Sequence, residues 1–148
     1  MNQEDLFKKT KFSQLKVISI GVEYLNDCFE LDEIALHGLW SKSQWEKELS
    51  DSRKVCLGIF FKSNLISLAC GWIILRKLNI TAIAVHPEQR GFGLGTKILK
   101  VLLRKAHVLG AKEATLEVKS TNYSANALYK KFGFEISGMR KNYYKDGS

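Results

Sequence analysis

The stretch "QRGFGLGTK", residues 89–97, sets Arg90, Gly91, Gly93 and Gly95 directly before an apolar-periodic segment. Glycine-spaced turns of this kind let consecutive backbone N–H groups converge, and a helix dipole behind them favours an anion. Three nucleotide-type chemistries compete for it, beside a plain glycine-rich turn between strand and helix. A P-loop ends in glycine, lysine and a hydroxyl residue, in that order. Here Gly95, Thr96 and Lys97 exchange the last two, and the first glycine is misplaced. A dinucleotide turn needs G-x-G-x-x-G straight after a strand. Gly91, Gly93 and Gly95 instead run G-x-G-x-G, with Thr96 in the third glycine's place and "HPEQR" intervening, although Glu117 imitates the ribose-binding acid. The order Arg90, Gly93, Gly95 satisfies a third pattern, R-x-x-G-x-G/A.

Such a turn must be held by a strand before it and a helix behind it. "NITAIAV" (79–85) supplies the strand, and apolar residues at 94, 98, 101, 102, 106 and 109 form a helical stripe, with Gly110 placed for a left-handed cap. Upstream, "LKVISI" (15–20) reads as a strand and Tyr24 to Leu36 as a helix carrying Leu25, Cys28, Phe29, Leu31 and Ile34. "LWSKSQWEKEL" offers two capping-box spacings, Ser41 with Gln44 and Ser43 with Glu46. "VCLGIFF" (55–61), "LISLACGWIIL" (65–75) and "NITAIAV" are separated by connections too short for crossovers, which predicts an antiparallel meander with a bulge or bend at Gly71. Downstream, "ATLEV" (114–118) is a short strand. Asn122 caps a helix carrying Ala125, Leu128, Tyr129 and Phe132, and "FEIS" and "RKNYY" close as strands. The fold class is α/β in the α+β mixed-sheet sense: a meander, then a parallel crossover from 79 to 118, flanked by helices.

A chain of 148 residues fits one domain spanning 1–148. No apolar run approaches the roughly 20 residues of a membrane span, and "MNQEDLFKKTKF" lacks the apolar core of a secretion signal, so a soluble, cytoplasmic protein with no membrane partner is expected. The net charge of +8 attracts phosphate in any form, whether nucleic acid, ribosomal surface or phosphorylated cofactor, while the scattered lysines read as solvated helix faces. Cys28, Cys56 and Cys70 are widely spaced in apolar surroundings and read as core residues. His37, His86 and His107 lack ligand spacing, so no metal site is expected.

"IAVHPEQRGFGLGTKIL" resembles, along its whole length, the acyl-CoA diphosphate motif of the GNAT superfamily of N-acetyltransferases. "LEVKSTNYSANALYKKFGFEISGMRKNYY" and "WSKSQW" resemble, within it, the ribosomal-protein-alanine N-acetyltransferases of the RimI-like kind. The resemblance implies a GNAT fold with splayed central strands and acetyl-CoA as co-substrate. It implies that Ile83, Ala84 and Val85 bind the pantetheine arm through their backbone, and that Arg90, Gly91, Phe92, Gly93, Leu94, Gly95 and Thr96 hold the diphosphate. Asn122 would touch the CoA arm. Glu117, in the LEV position, would be the general base, and Tyr129, in the ALY position, the general acid to the departing thiolate.

The implied acceptor is the amino-terminal alanine of a small-subunit ribosomal protein, with Trp40, Tyr143 and Tyr144 near the peptide channel. A basic enzyme and a basic ribosomal protein repel, so an acidic patch or a ribosomal RNA contact through the basic surface would have to compensate. No specific DNA binding is expected. The same cofactor motif also suits another protein terminus or a small amine, or a non-catalytic ribosome- or RNA-associated module. The resembling family continues past "YYKDGS" into a further strand, so a missing final strand is expected after Ser148.

Overall fold

A computed structural model describes residues 15–117, 128–130, 132–133, 135–137 and 140–144. Strand β1 (Val17–Ser19) precedes helices α1 (Leu25–Ala35) and α2 (Lys42–Ser50). The meander follows as β2 (Lys54–Phe61), β3 (Asn64–Ile74) and β4 (Lys77–Val85); helix α3 (Leu94–Val108), β5 (Glu113–Glu117), β6 (Glu135–Ser137) and β7 (Arg140–Tyr144) complete the order. Among the described residues seven strands form one sheet in the order β1-β2-β3-β4-β5-β7-β6. Of these described pairs β4 and β5 run parallel and the others antiparallel. Among the described residues no helix is long and apolar enough to cross a membrane.

The meander's strands reach closer to one another than the apolar runs suggest. Lys62 and Ser63 turn one hairpin and Leu75 and Arg76 the next, all four at positive φ. That backbone matches the right-handed twist of the flanking strands, which outweighs the cost of using residues other than glycine. The expected irregularity falls between Cys70 and Gly71, where a Cβ on Gly71 would lie 2.9 Å from the Asn79 carbonyl oxygen. A second register shift, between Ile59 and Phe60, has no sequence signal we can identify.

The sheet carries a separate apolar layer on each face. Against one face α3 packs Leu94, Ile98, Leu99, Leu102, Leu103 and Ala106, together with Tyr129. The buried stripe is broader than the spacing suggests: Leu99 and Leu103 join it, Val101 is half-buried, and Leu109, beyond the helix end, is 57% exposed. Against the other face α1 and α2 pack Cys28, Leu31, Ala35 and Trp45. Here hydropathy misleads, since Ile34 is 49% exposed while Asp32 is fully buried.

Ser41 is the cap of α2, its hydroxyl accepting the Gln44 N–H at 3.1 Å; Ser43 lies inside the helix. The three cysteines, far apart in sequence, meet in one layer, with Cys56 opposite Cys70 across the β2–β3 ladder. All three are free thiols. Burial chiefly pushes Cys28 up to about 12, and a hydrogen bond with Cys56, together with burial, raises Cys70. Thiols held protonated and away from solvent are poor nucleophiles, which suits a packing role.

Candidate active site

The ladder between β4 and β5 runs from Lys77↔Glu113 to Ile80↔Leu116 and stops there. Beyond it, residues 82–85 of β4 continue to pair with β3 but have no described partner on their other side. On its other edge β5 pairs with β7 along its whole length, from Glu113↔Tyr144 to Glu117↔Arg140. The parallel strands therefore part at their carboxyl ends. In an open mixed sheet such a parting leaves backbone donors and acceptors available to an extended ligand.

A cleft of about 370 Å³ occupies this opening. Ile83, Ala84 and Val85 form its β4 wall, Arg90, Gly91 and Gly93 to Thr96 its end, and Leu128 and Tyr129 the opposite side. Ala35 and Leu36, from the end of α1, close it from the other face of the sheet. The β4 wall is less open than three adjacent backbone groups suggest. Ser67 Oγ donates to the Ala84 carbonyl at 2.8 Å, and Arg90 Nε donates to that of Val85 at 3.2 Å.

The glycines of the turn have different jobs. Gly91 and Gly93 sit at φ 89° and 82°, in the left-handed region, and Gly93 is the N-cap of α3. That cap offers no side-chain oxygen, and the first turn of α3 has no acidic residue, so among the described residues its leading N–H groups find no side-chain acceptor. The arrangement suits an anion brought from outside. Gly95 serves packing: a Cβ there would lie 3.1 Å from Leu128 Cδ2 and 3.8 Å from Val85 Cγ2, so its absence lets the segment at 128 approach α3. Phe92 is 38% exposed on the turn and is not among the residues lining the cleft.

Arg90 also does more than stand beside the turn. Its guanidinium donates to the Ala35 carbonyl at 3.4 Å as well as to that of Val85, tying the end of α1 to the end of β4.

Tyr129 is 5% exposed against the cleft, and burial pushes its phenol up to about 12. It therefore stays protonated at neutral pH and can donate a hydrogen bond. Glu117 is the last residue of β5, at the level where the strands part. Asn122 lies outside the described residues, as does Val118. Tyr143 and Tyr144 pair with Ala114 and Glu113, at the end of β5 remote from the parting. Trp40 does not line the cleft. Its ring packs edge-on to Trp45 at 4.7 Å, and its backbone N–H donates to Asp32 Oδ2 at 3.0 Å.

Asp32 was not singled out by the sequence reading. Its carboxylate also accepts from Leu39 N–H at 2.7 Å and from Trp45 Nε1 at 2.7 Å, so it organises the α1–α2 connection just beyond the cleft's Ala35 and Leu36. A sequence signal existed: Cys28, Asp32 and Ala35 share core spacing on α1, and an acid at such a position must find donors.

A mixed sheet whose two parallel strands part beside a helix amino terminus with no described side-chain cap is the arrangement that a family assignment has to accommodate. The chain belongs to the Acetyltransferase (GNAT) family, whose model matches residues 22–134, and is an N-acetyltransferase. A Bacillus subtilis protein, provisionally named a ribosomal protein bS18-alanine N-acetyltransferase, is 31% identical over 131 residues, covering 88% of this chain and 87% of its own length. The crystal structure of the ribosomal-protein-S18-alanine N-acetyltransferase from Escherichia coli shares the fold with a TM-score of 0.82 at 19% identity, over 88% of this chain and 93% of that one. The PaiA N-acetyltransferase of Thermoplasma acidophilum, solved in complex with coenzyme A, does so with a TM-score of 0.77 at 20% identity, over 88% and 98%.

Proposed function

We propose that the chain transfers the acetyl group of acetyl-CoA to the amino-terminal α-amine of a protein in the cytoplasm, with the amino-terminal alanine of a small-subunit ribosomal protein as acceptor. One observation carries the donor half: the parting of β4 and β5 beside an uncapped amino terminus of α3. A thioester arm suits the parting, and a diphosphate suits the N–H groups of residues 91–96, with Gly91 and Gly93 setting the turn and Gly95 the packing behind it. Arg90 adds positive charge and braces the turn against α1. Similarity to the Bacillus subtilis relative supports the acceptor half.

An α-amine has a pKa near 7.7 to 8.0, so most of it is protonated at neutral pH and a base must help. Glu117 takes that proton, directly or through water. The free amine attacks the thioester carbonyl, a tetrahedral intermediate forms, and the C–S bond breaks to give amide and CoA thiolate. Tyr129 donates a hydrogen bond to the departing sulfur. Full transfer from a phenol near 12 to a thiolate of pKa about 8.5 runs uphill by about 5 kcal/mol, so the thiol's proton comes in the end from the amine nitrogen. Asn122 contacts the CoA arm.

The test is release of CoA thiol from acetyl-CoA with an alanine-initiated ribosomal peptide, beside the same peptide with its amine blocked. Release with the free peptide alone is expected; equal release with the blocked peptide overturns the α-amine assignment. Glu117→Gln should slow turnover by about 100-fold or more near neutral pH and less at high pH, as amine deprotonation no longer needs a base. An unchanged rate at neutral pH removes Glu117 from the mechanism.

A further inference from the structure

Cys56 and Cys70 stand opposite each other across the β2–β3 ladder, and the hydrogen bonds around them show which kind of opposition it is. Opposed residues of an antiparallel ladder alternate between exchanging backbone bonds and turning their backbones outward. The Ile20 N–H donates to the Cys56 carbonyl at 2.9 Å, on the β1 side, and Thr81 Oγ1 donates to the Cys70 carbonyl at 3.2 Å, on the β4 side. Arg53, three residues before Cys56, accepts from the Ile73 N–H at 3.3 Å, which fixes the same alternation. Cys56 and Cys70 are therefore a pair without mutual backbone bonds, the kind whose Cα atoms lie about 4.5 Å apart and whose side chains approach most closely. That spacing falls within the roughly 4.4–6.8 Å that a disulfide spans. The two thiols already share a hydrogen bond.

Cys28 and Cys70 are fully buried, whereas Cys56 is 6% exposed and lines a cavity of about 440 Å³ where β1 ends and β2 runs on. Arg53, Lys54 and Lys105 line the same cavity, and among the described residues no carboxylate does. Arg53 and Lys54 are steadied from outside it by Asp51 and Glu48, each at 2.8 Å. Lys105 donates to the Ser19 hydroxyl and forms no ion pair among the described residues. Lys105 stands eleven residues along α3 from Leu94, about 16 Å at the helical rise, so this cavity is separate from the cleft. A thiol beside three cations, with a second thiol in register behind it, is the arrangement for exchange with an anionic disulfide.

We infer that Cys56 is an exchange site for an anionic low-molecular-weight disulfide and that Cys70 resolves the mixed disulfide into a Cys56–Cys70 cross-link. The Cys56 thiolate attacks one sulfur of the reagent, the reagent's S–S bond breaks, and one half leaves as a thiolate that takes a proton from water. Cys70 then gives up its proton, attacks Cys56 Sγ and expels the second half. Two protein thiols lose two electrons and two protons, and the reagent gains both as two thiols. Burial and the bond to Cys56 keep Cys70 protonated, which suits a thiol that reacts only once the sulfur opposite it has become electrophilic. No residue of the cleft takes part, so the inference stands apart from the acceptor reading.

The experiment incubates the native protein with oxidised glutathione, an anionic disulfide, and in parallel with cystamine, a cationic one. Thiols counted after denaturation should fall from three to one without added mass, and a proteolytic map should join Cys56 to Cys70. Cys70→Ala should stop with one glutathione on Cys56, and Cys56→Ala should keep its thiols. With each rate divided by that of the urea-unfolded protein, glutathione disulfide should lead cystamine about tenfold at low salt, and Lys105→Glu should shrink that lead. Three thiols remaining in the native wild type, or a link or label on Cys28, overturns the inference. Equal normalised rates for the two reagents, or a lead untouched by Lys105→Glu, also overturn it, because reaction through unfolding is indifferent to charges gathered only in the folded chain.

Discussion

On the α3 face of the sheet the buried layer is largely aliphatic: Leu94, Ile98, Leu99, Leu102 and Leu103 meet Leu78, Ile80 and Leu116. On the α1–α2 face, equal depth holds Trp45, three thiols and the carboxylate of Asp32. The first layer needs only volume and periodicity, so many aliphatic combinations could fill it. The second needs Asp32 to meet three donors at once, and removing Asp32 leaves three donors without their acceptor. The difference has a functional side. The α3 face supplies a rigid seat for the glycine turn, while the α1–α2 face sets, through Asp32 and the connection it holds, the wall formed by Ala35 and Leu36.

The comparison is broken most directly at Asp32. Asp32→Ala leaves Leu39 N–H, Trp40 N–H and Trp45 Nε1 without their acceptor and should cost about 3–5 kcal/mol in urea unfolding. Asp32→Asn, which keeps the shape and one acceptor oxygen, should cost less; equal losses would mean that both carboxylate oxygens are required and that shape alone contributes nothing. On the other face Leu99→Ala should cost about 3 kcal/mol as a cavity forms, with Leu99→Met recovering most of it. Failure of methionine to recover stability would show that the aliphatic layer is as exacting as the polar one.

Alkaline pH should separate the faces by a smaller amount. Cys28, raised from 9.0 to about 12, and Cys70, also raised, sit on the α1–α2 face; Tyr129, raised from 10.0 to about 12, sits on the other. Folded values above unfolded ones mean stability that is fully present below the unfolded values and lost as pH rises through the folded ones. Each group contributes a slope of about 1.4 kcal/mol per pH unit within its window. Between pH 8 and 10 the two thiols dominate, and about 2.7 kcal/mol should be lost. The variant with both Cys28→Ala and Cys70→Ala should keep a nearly flat profile there, and an unchanged slope would clear the thiols. The smallest effect is expected at Gly95→Ala. Helix propensity gains about 1 kcal/mol while crowding against Leu128 Cδ2 opposes it, so the net change in stability should stay within about 1 kcal/mol. A loss well beyond that would mean that Leu128 cannot give way.

Legibility in the sequence followed the same division. The meander, α3 and the glycine turn were readable because hydrophobic period and turn chemistry are local. The breadth of the α3 stripe was not, because which flanking leucines become buried depends on the sheet beneath. Asp32 escaped notice because a buried polar residue is recognised by its partners, and Asp32 finds its own as far along the chain as Trp45. Trp40 could be read from its motif either as near a peptide channel or as packing, and its contact with Trp45, which depends on the α1–α2 connection, is not written in that motif.

The sequence by itself determined the order of elements, the glycine turn from Arg90 to Thr96 and the family to which these belong, since each is written in short-range spacing. Only the tertiary structure decided where β4 and β5 part, that Arg90 braces α1 against β4, and that three distant cysteines share one layer. Those depend on which residues remote in sequence are brought within a few ångströms, and no local pattern encodes that distance.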